Sequence, residues 1–177
     1  EYLPTVMPPK QWSGVSGGGY WTEELPELDF VKQRNKKFKK ELEAFKMPEV
    51  YNSVNVMQNT AFKINSYILG VMQEAWDKGL AMGGMPPNEN LDIPNKPHDI
   101  DTNKEARREW KKRAVVAHTE NARMFSKRLL YAKILWEAEK FKPYKTIYFP
   151  LQLDFRGRVY CVPAFLNYQS ISGAKAL

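Results

Sequence analysis

The sequence predicts a mainly α-helical protein with a small β part, built as a protruding antiparallel helical hairpin followed by a β-hairpin. Three observations predict it. Apolar residues recur at helical spacing over 61–76, and residues 103–142 contain no Gly or Pro. After Pro143 the period changes: Ile147, Phe149, Leu151 and Leu153 alternate with Tyr148, Pro150 and Gln152, the pattern of a strand. The charge is also uneven. The net charge is +7, and residues 103–142 hold 12 Lys and Arg against 5 Glu, which leaves 15 basic and 15 acidic residues elsewhere. A surplus confined to one helical segment favours a polyanionic partner.

Residues 1–28 are expected to be irregular, because Pro4, Pro8, Pro9, Pro26 and the glycine-rich stretch at 12–21 (WSGVSGGGYW) punctuate the chain. A short strand at 28–31 and a basic amphipathic helix around 35–45, carrying Phe38, Leu42 and Phe45, follow. Pro48 suits the first turn of a helix in which Val50, Tyr51, Val54 and Met57 share a face. Asn59-Thr60 is read as the cap of the next helix, with Ala61, Ile64, Ile68, Leu69, Val71, Met72, Ala75 and Trp76 as its stripe and a stop near Gly79. Residues 83–97 read as loop. Thr102 and Glu105 form a capping box for the long segment. About 40 helical residues reach about 60 Å, so that helix either kinks, near Asn121, or projects. Trp110, Ala114, Ala117, Phe125, Leu129, Leu135 and Ala138 are expected to pack it against the earlier helix. Residues 154–157 read as a turn, 158–162 as the returning strand and 173–177 as the start of another helix. No internal repeat is present.

A chain of 177 residues, 43% apolar, is long enough to build a core. No apolar run approaches the about 20 residues of a membrane span, so no membrane partner is expected. The opening Glu1-Tyr2-Leu3-Pro4 has no basic and apolar signal pattern, and the missing initiator Met suggests a processed or trimmed piece. Cys161 is the only cysteine, which excludes an internal disulfide and fits a reducing compartment. With His98 and His118 it makes no zinc spacing. Asp99 and Asp101 stand where carboxylates favour the positive end of a helix, a better reading than a metal site. Gly17-Gly18-Gly19 follows no clear strand and opens no helix, so a tight turn is expected there in place of a phosphate loop.

The chemistry-bearing stretch is Asp154-Phe155-Arg156-Gly157-Arg158-Val159-Tyr160. Two arginines offer planar donor forks for phosphate oxygens, the glycine between them admits a close approach, and the tyrosine adds a flat face. Read from its residues alone, this is either a polynucleotide contact or a surface hairpin in which Asp154 pairs with an arginine.

DFRGRVY at 154–160, after YFPLQL at 148–153, closely resembles the D-W/F-R-G-R-x-Y segment of the single-subunit RNA polymerases of T-odd phages and mitochondria. Residues 50–65 (VYNSVNVMQNTAFKIN) are similar to the stretch before that family's thumb, and residues 12–21 look like a glycine-rich segment of its phage branch. The resemblance implies that residues 1–58 close the N-terminal region. Residues 59–142 would be a thumb that wraps the template–transcript hybrid, and residues 143–177 would begin an incomplete palm. It implies that Arg156, Gly157, Arg158 and Tyr160 bind template and hybrid, with Lys127 and Arg128 as further contacts on the second thumb helix and Asp154 as a positioning residue. The two metal-binding aspartates, the catalytic lysine and the tyrosine that selects ribonucleotides lie downstream in that family. No catalytic or metal-binding residue is therefore expected in this chain. Mg2+ would be bound outside it, by a downstream segment or a partner polymerase chain, with DNA template and RNA transcript as the other partners. The implied location is the cytoplasm of an infected bacterial host, or alternatively a mitochondrion. A non-enzymatic basic nucleic-acid-binding module and a protein whose basic helix is only a solvated face are the other readings.

Overall fold

The computed structural model describes residues 1–177. In chain order the elements are β1 (Val31–Lys32), α1 (Lys36–Glu43), α2 (Pro48–Gln58), α3 (Ser66–Asp77), α4 (Lys104–Phe141), β2 (Leu151–Asp154), β3 (Val159–Cys161) and α5 (Ser172–Ala176). Helix dominates and one three-stranded sheet completes the fold, in the order β1-β2-β3. β2 is the central strand, parallel to β1 and antiparallel to β3, with Val31 opposite Leu153, Lys32 opposite Asp154 and Gln152 opposite Tyr160.

Local chemistry sets the helix starts. Asn35 caps α1 by accepting from the N–H groups of Lys37 and Phe38, and Pro48 opens α2 where a missing N–H costs nothing. α3 begins later than its apolar pattern suggests. Asn59 closes α2, and Phe62 pairs in extended backbone with Ile147, through N–O distances of 2.9 and 2.8 Å, before Asn65 caps the helix. Ile64 thus enters the core from an extended segment, so helical spacing over 61–64 is coincidental. At α4 the cap is Asn103, which accepts from the N–H groups of Glu105 and Ala106, while Thr102 bonds back to the carbonyl of Asp99. α4 is one unbroken 38-residue helix, about 57 Å long at about 1.5 Å per residue, with no interruption at Asn121.

The helical hairpin is shorter on one side than expected. α3 has 12 residues against 38 in α4, and its Leu69, Met72 and Ala75 meet only the end of α4, at Tyr131, Ile134, Leu135, Ala138 and Phe141. Beyond α3 the returning limb is an extended strap. The Tyr131 hydroxyl donates to the carbonyl of Gly83, and the Trp110 indole N–H donates to that of Pro94 at 2.8 Å, so the strap runs antiparallel to α4. Ala114 and Ala117 are buried, but Phe125 and Leu129 are exposed, because at 3.6 residues per turn they stand on the side of α4 turned away from Ile134 and Ala138.

Two hydrophobic clusters hold the chain, and one stretch of backbone serves both. Ile147 and Phe149 join the cluster of α3 and α4, together with Leu166 and Ala174, whereas Leu151 and Leu153 join Trp12, Phe30, Val31, Tyr51 and Val54. Trp12 is nearly fully buried, its indole N–H donating to the carbonyl of Leu151 at 2.9 Å. Its backbone exchanges two hydrogen bonds with the Asn55 amide, at 2.7 and 2.8 Å, and Phe30 sits against both Trp12 and Tyr51. The glycine-rich stretch is a tight turn folded over this indole: Gly17 and Gly19 take positive φ of 81° and 84°, and a Cβ on Gly18 would run into the Trp12 ring.

These contacts make two glycines unequal. Gly18→Ala should destabilise by about 1–3 kcal/mol through overpacking. Gly14 has open space around it, so Gly14→Ala should stay within about 1 kcal/mol of the parent. Urea unfolding midpoints of the two variants check this, and equal midpoints would contradict the packing.

Candidate nucleic-acid interface

The tip joining β2 to β3 is organised by one carboxylate. Asp154 Oδ1 accepts from the backbone N–H groups of both Arg156 and Arg158, each at 2.9 Å, and Oδ2 accepts from Arg156 Nε at 3.0 Å and forms an ion pair with Nη2 at 2.9 Å. The Gly157 N–H returns to the carbonyl of Asp154 at 3.0 Å, and the Asp154 N–H donates to that of Arg158 at 2.8 Å. This is a tight turn followed by a glycine in the left-handed region, at φ 78°, a conformation that admits Gly far more readily than other residues. Burial alone would raise the Asp154 pKa, but the N–H of Arg158 and the side chain and N–H of Arg156 outweigh it and hold the carboxyl below its usual value. The same pairing raises the pKa of Arg156.

The two arginines therefore differ. Arg156 is held flat by Asp154 and lies with its guanidinium carbon 5.3 Å from the Phe155 ring centroid, while Phe155 is 69% exposed. Arg158 contributes its backbone to the turn, whereas its guanidinium meets no hydrogen-bond or ionic partner in the chain and is exposed. Tyr160 is exposed on β3. Arg156, Phe155, Asp154 and Tyr160 line a groove of about 400 Å³ with Lys32 and Gln152. Asp154 thus pairs with one arginine, as the surface-hairpin reading expects, while the other has no partner in the chain.

Lys32 carries no signal in the sequence. It reaches this groove only because β1 pairs with β2 from far along the chain, opposite Asp154, and no local pattern announces that pairing. Cys161 is half-buried and its thiol is pushed up to about 11, by burial first and with a smaller opposing effect of Tyr168, so it is no thiolate near neutral pH.

Along α4, Lys104, Arg107, Arg108, Lys111 and Lys112 form an exposed basic face, and among them only Lys112 has an intrachain ion pair, with Glu109 at 2.8 Å. Spacings of three and four residues put them on neighbouring positions of the helix surface. Further along, Lys127 is exposed and unpaired, whereas Arg128 is half-buried with its fork turned inward. Arg128 donates to the carbonyls of Pro87 and Glu89, both at 2.8 Å, and to Asn90 Oδ1 at 2.9 Å. Asp99 accepts from the Asn103 amide and so supports the cap of α4, and no group of three or more His, Cys, Asp or Glu side chains gathers as a metal site would. No helix is long and apolar enough to cross a membrane.

Chemically, this is a surface suited to a polyanion: a hydrogen-bonded turn with one free guanidinium, on a sheet whose central strand continues from the backbone that packs with a long basic helix. No family model matches the chain. It is 42% identical over 166 residues to the DNA-directed RNA polymerase of Enterobacteria phage T3, a match covering 93% of this chain and 19% of that polymerase. It is 40% identical over 166 residues to T7 RNA polymerase of Escherichia phage T7, with the same coverage. Against the mitochondrial DNA-directed RNA polymerase of Neurospora crassa the identity is 29% over 181 residues, covering 100% of this chain and 13% of the relative. The chain is thus a sequence relative of the single-subunit RNA polymerases of phages and mitochondria, and these phage members are the more similar to it. It spans about a fifth of the length of the phage relatives.

The hairpin carries an acid-side signature. The folded Asp154 carboxyl titrates below the ordinary value of about 3.9, so its stabilising effect is complete above that pH and fades as pH falls through the lower folded value. Asp154→Asn should flatten this part of the profile. Thermal unfolding of both proteins between about pH 5 and pH 2 checks it, and parallel profiles would contradict it.

Proposed function

We propose that this chain is part of a DNA-directed RNA polymerase in which it grips the DNA template and the RNA–DNA hybrid, while the catalytic residues lie in another segment or in a partner chain. The observation that carries this reading is the unpartnered guanidinium of Arg158 on a turn locked by Asp154, in a sequence 42% identical to a phage polymerase. Arg158 takes a phosphate oxygen. At Gly157 even an added methyl would meet nothing within 4 Å, so the backbone there is open to the strand, and Tyr160 offers a flat face beside it. Arg156 is already satisfied by Asp154 and so presents a stacked edge with Phe155 more than a free charge. The basic face of α4, including Lys127, supplies the second, less specific hold, and residues 59–142 act as the thumb that carries it. Arg128 serves the same helix.

A Mg2+ ion for nucleotidyl transfer does not fit the side chains of this chain, because no set of carboxylates converges here, so no step is assigned to it. It belongs to residues elsewhere in the polymerase. The similarity to phage polymerases favours the cytoplasm of an infected bacterial host over a mitochondrion as the place of action.

Titration of the chain with an RNA–DNA hybrid at several salt concentrations tests the reading, since each neutralised phosphate releases counterions. Arg158→Ala should weaken binding by about 2 kcal/mol, about 30-fold, and should lower transcription when the remaining polymerase polypeptide is supplied. Unchanged affinity and transcription in Arg158→Ala would overturn the assigned role.

A further inference from the structure

α4 needs a support that no helix provides. Only its last third packs on α3, and in the stretch from Lys104 to Lys127 just Ala114 and Ala117 are buried. Before that last third, what lies along it is the strap at 83–94, within a connection between α3 and α4 that is longer than the about 12–15 residues usual for loops without regular structure. Such a connection generally has a job.

The strap is held at its ends by Tyr131 and Trp110, and between them it is stapled at two places by side chains of α4. Arg128 spends its fork on three strap acceptors: the carbonyls of Pro87 and Glu89 and the Asn90 side chain. Nearly two turns earlier, Asn121 exchanges two hydrogen bonds with the backbone of Leu91, accepting at 2.8 Å and donating at 2.9 Å. The second staple mimics a strand pairing: a side-chain amide satisfies both polar groups of one strap residue. Neither staple is a chance surface contact of a lone charge, because five bonds converge on residues 87–91.

We infer that Arg128 and Asn121 are positioning residues: they hold the strap along α4, and so keep its basic face in line with the hairpin, without touching the nucleic acid themselves. The part concerning nucleic acid rests on the function proposed above. Arg128 and Lys127, adjacent in sequence, then have opposite duties. Lys127 faces outward as a phosphate contact, and Arg128 turns inward as a clamp. A lysine in place of Arg128 keeps the charge but loses the planar fork that reaches three acceptors at once.

Hydrogen exchange and hybrid binding of the whole chain separate these roles. In Arg128→Ala, Arg128→Lys and Asn121→Ala the Leu91 amide should exchange about tenfold faster, with the exchange of α3 unchanged. All three should weaken hybrid binding several-fold while the log–log salt slope stays at the parent value. Lys127→Ala should instead lower the slope by about one and leave the strap protected. The inference is overturned if Arg128→Ala lowers the slope by about one with the strap still protected, which would make Arg128 a phosphate contact. It is equally overturned if Arg128→Lys restores full binding, or if the strap opens without any loss of affinity. Should the parent chain bind no hybrid, the proposed function fails, and Leu91 exchange alone still decides whether the staples hold the strap.

Discussion

Everything in this chain is fastened to the backbone between Ile147 and Asp154. Ile147 pairs with Phe62, Tyr148 with Thr5, and β2 with both β1 and β3. The carbonyl of Leu151 takes the Trp12 indole N–H, and its N–H reaches the Gln58 side chain. Segments far apart in sequence thus meet on one extended stretch, whose apolar side chains feed one cluster at its start and the other at its end. A buried strand must pair its polar groups or lose on the order of 1–3 kcal/mol for each one orphaned, which explains why so many partners converge here.

That fastening is what makes the hairpin at its end rigid. The Asp154–Arg156 ion pair is a surface pair, screened by solvent, and contributes little by itself. Its geometric effect is larger than its energy. By accepting two backbone N–H groups, Asp154 fixes the turn, and by occupying Arg156 it leaves Arg158 as the unpaired donor. α4 is built on the opposite plan. It is long, mostly exposed and rich in unpaired charge, and it owes its position to the α3 contact at one end and to the strap along the rest. A fixed point and a long arm rest on two clusters joined by one stretch of backbone, 147–154.

Much of this is legible in the residues. The long helix follows from the absence of Gly and Pro, α2 from Pro48, and the β-hairpin from the alternation after Pro143 and the D-x-R-G turn. Boundaries escape the sequence where two signals compete. Asn103 wins the cap over Thr102 because its amide oxygen reaches two N–H groups, and Asn65 wins over Asn59-Thr60 because Phe62 is needed for pairing with Ile147. Phe125 and Leu129 have helical spacing with each other, yet they stand on the side of α4 away from the residues that pack on α3. Lys32 in the groove and the inward turn of Arg128 depend on pairings remote in sequence, which composition and period do not encode. The motif at 154–160 points to the hairpin; only the structure separates its two arginines by role.

Cross-linking bears on the central claim most directly. An RNA–DNA hybrid carrying photoreactive bases, bound to the chain and mapped by mass spectrometry, should leave adducts at residues 155–160 and on the outward face of α4 around Lys127, with none on the strap. Adducts confined to residues 1–30, or spread without preference over the surface, would contradict the account.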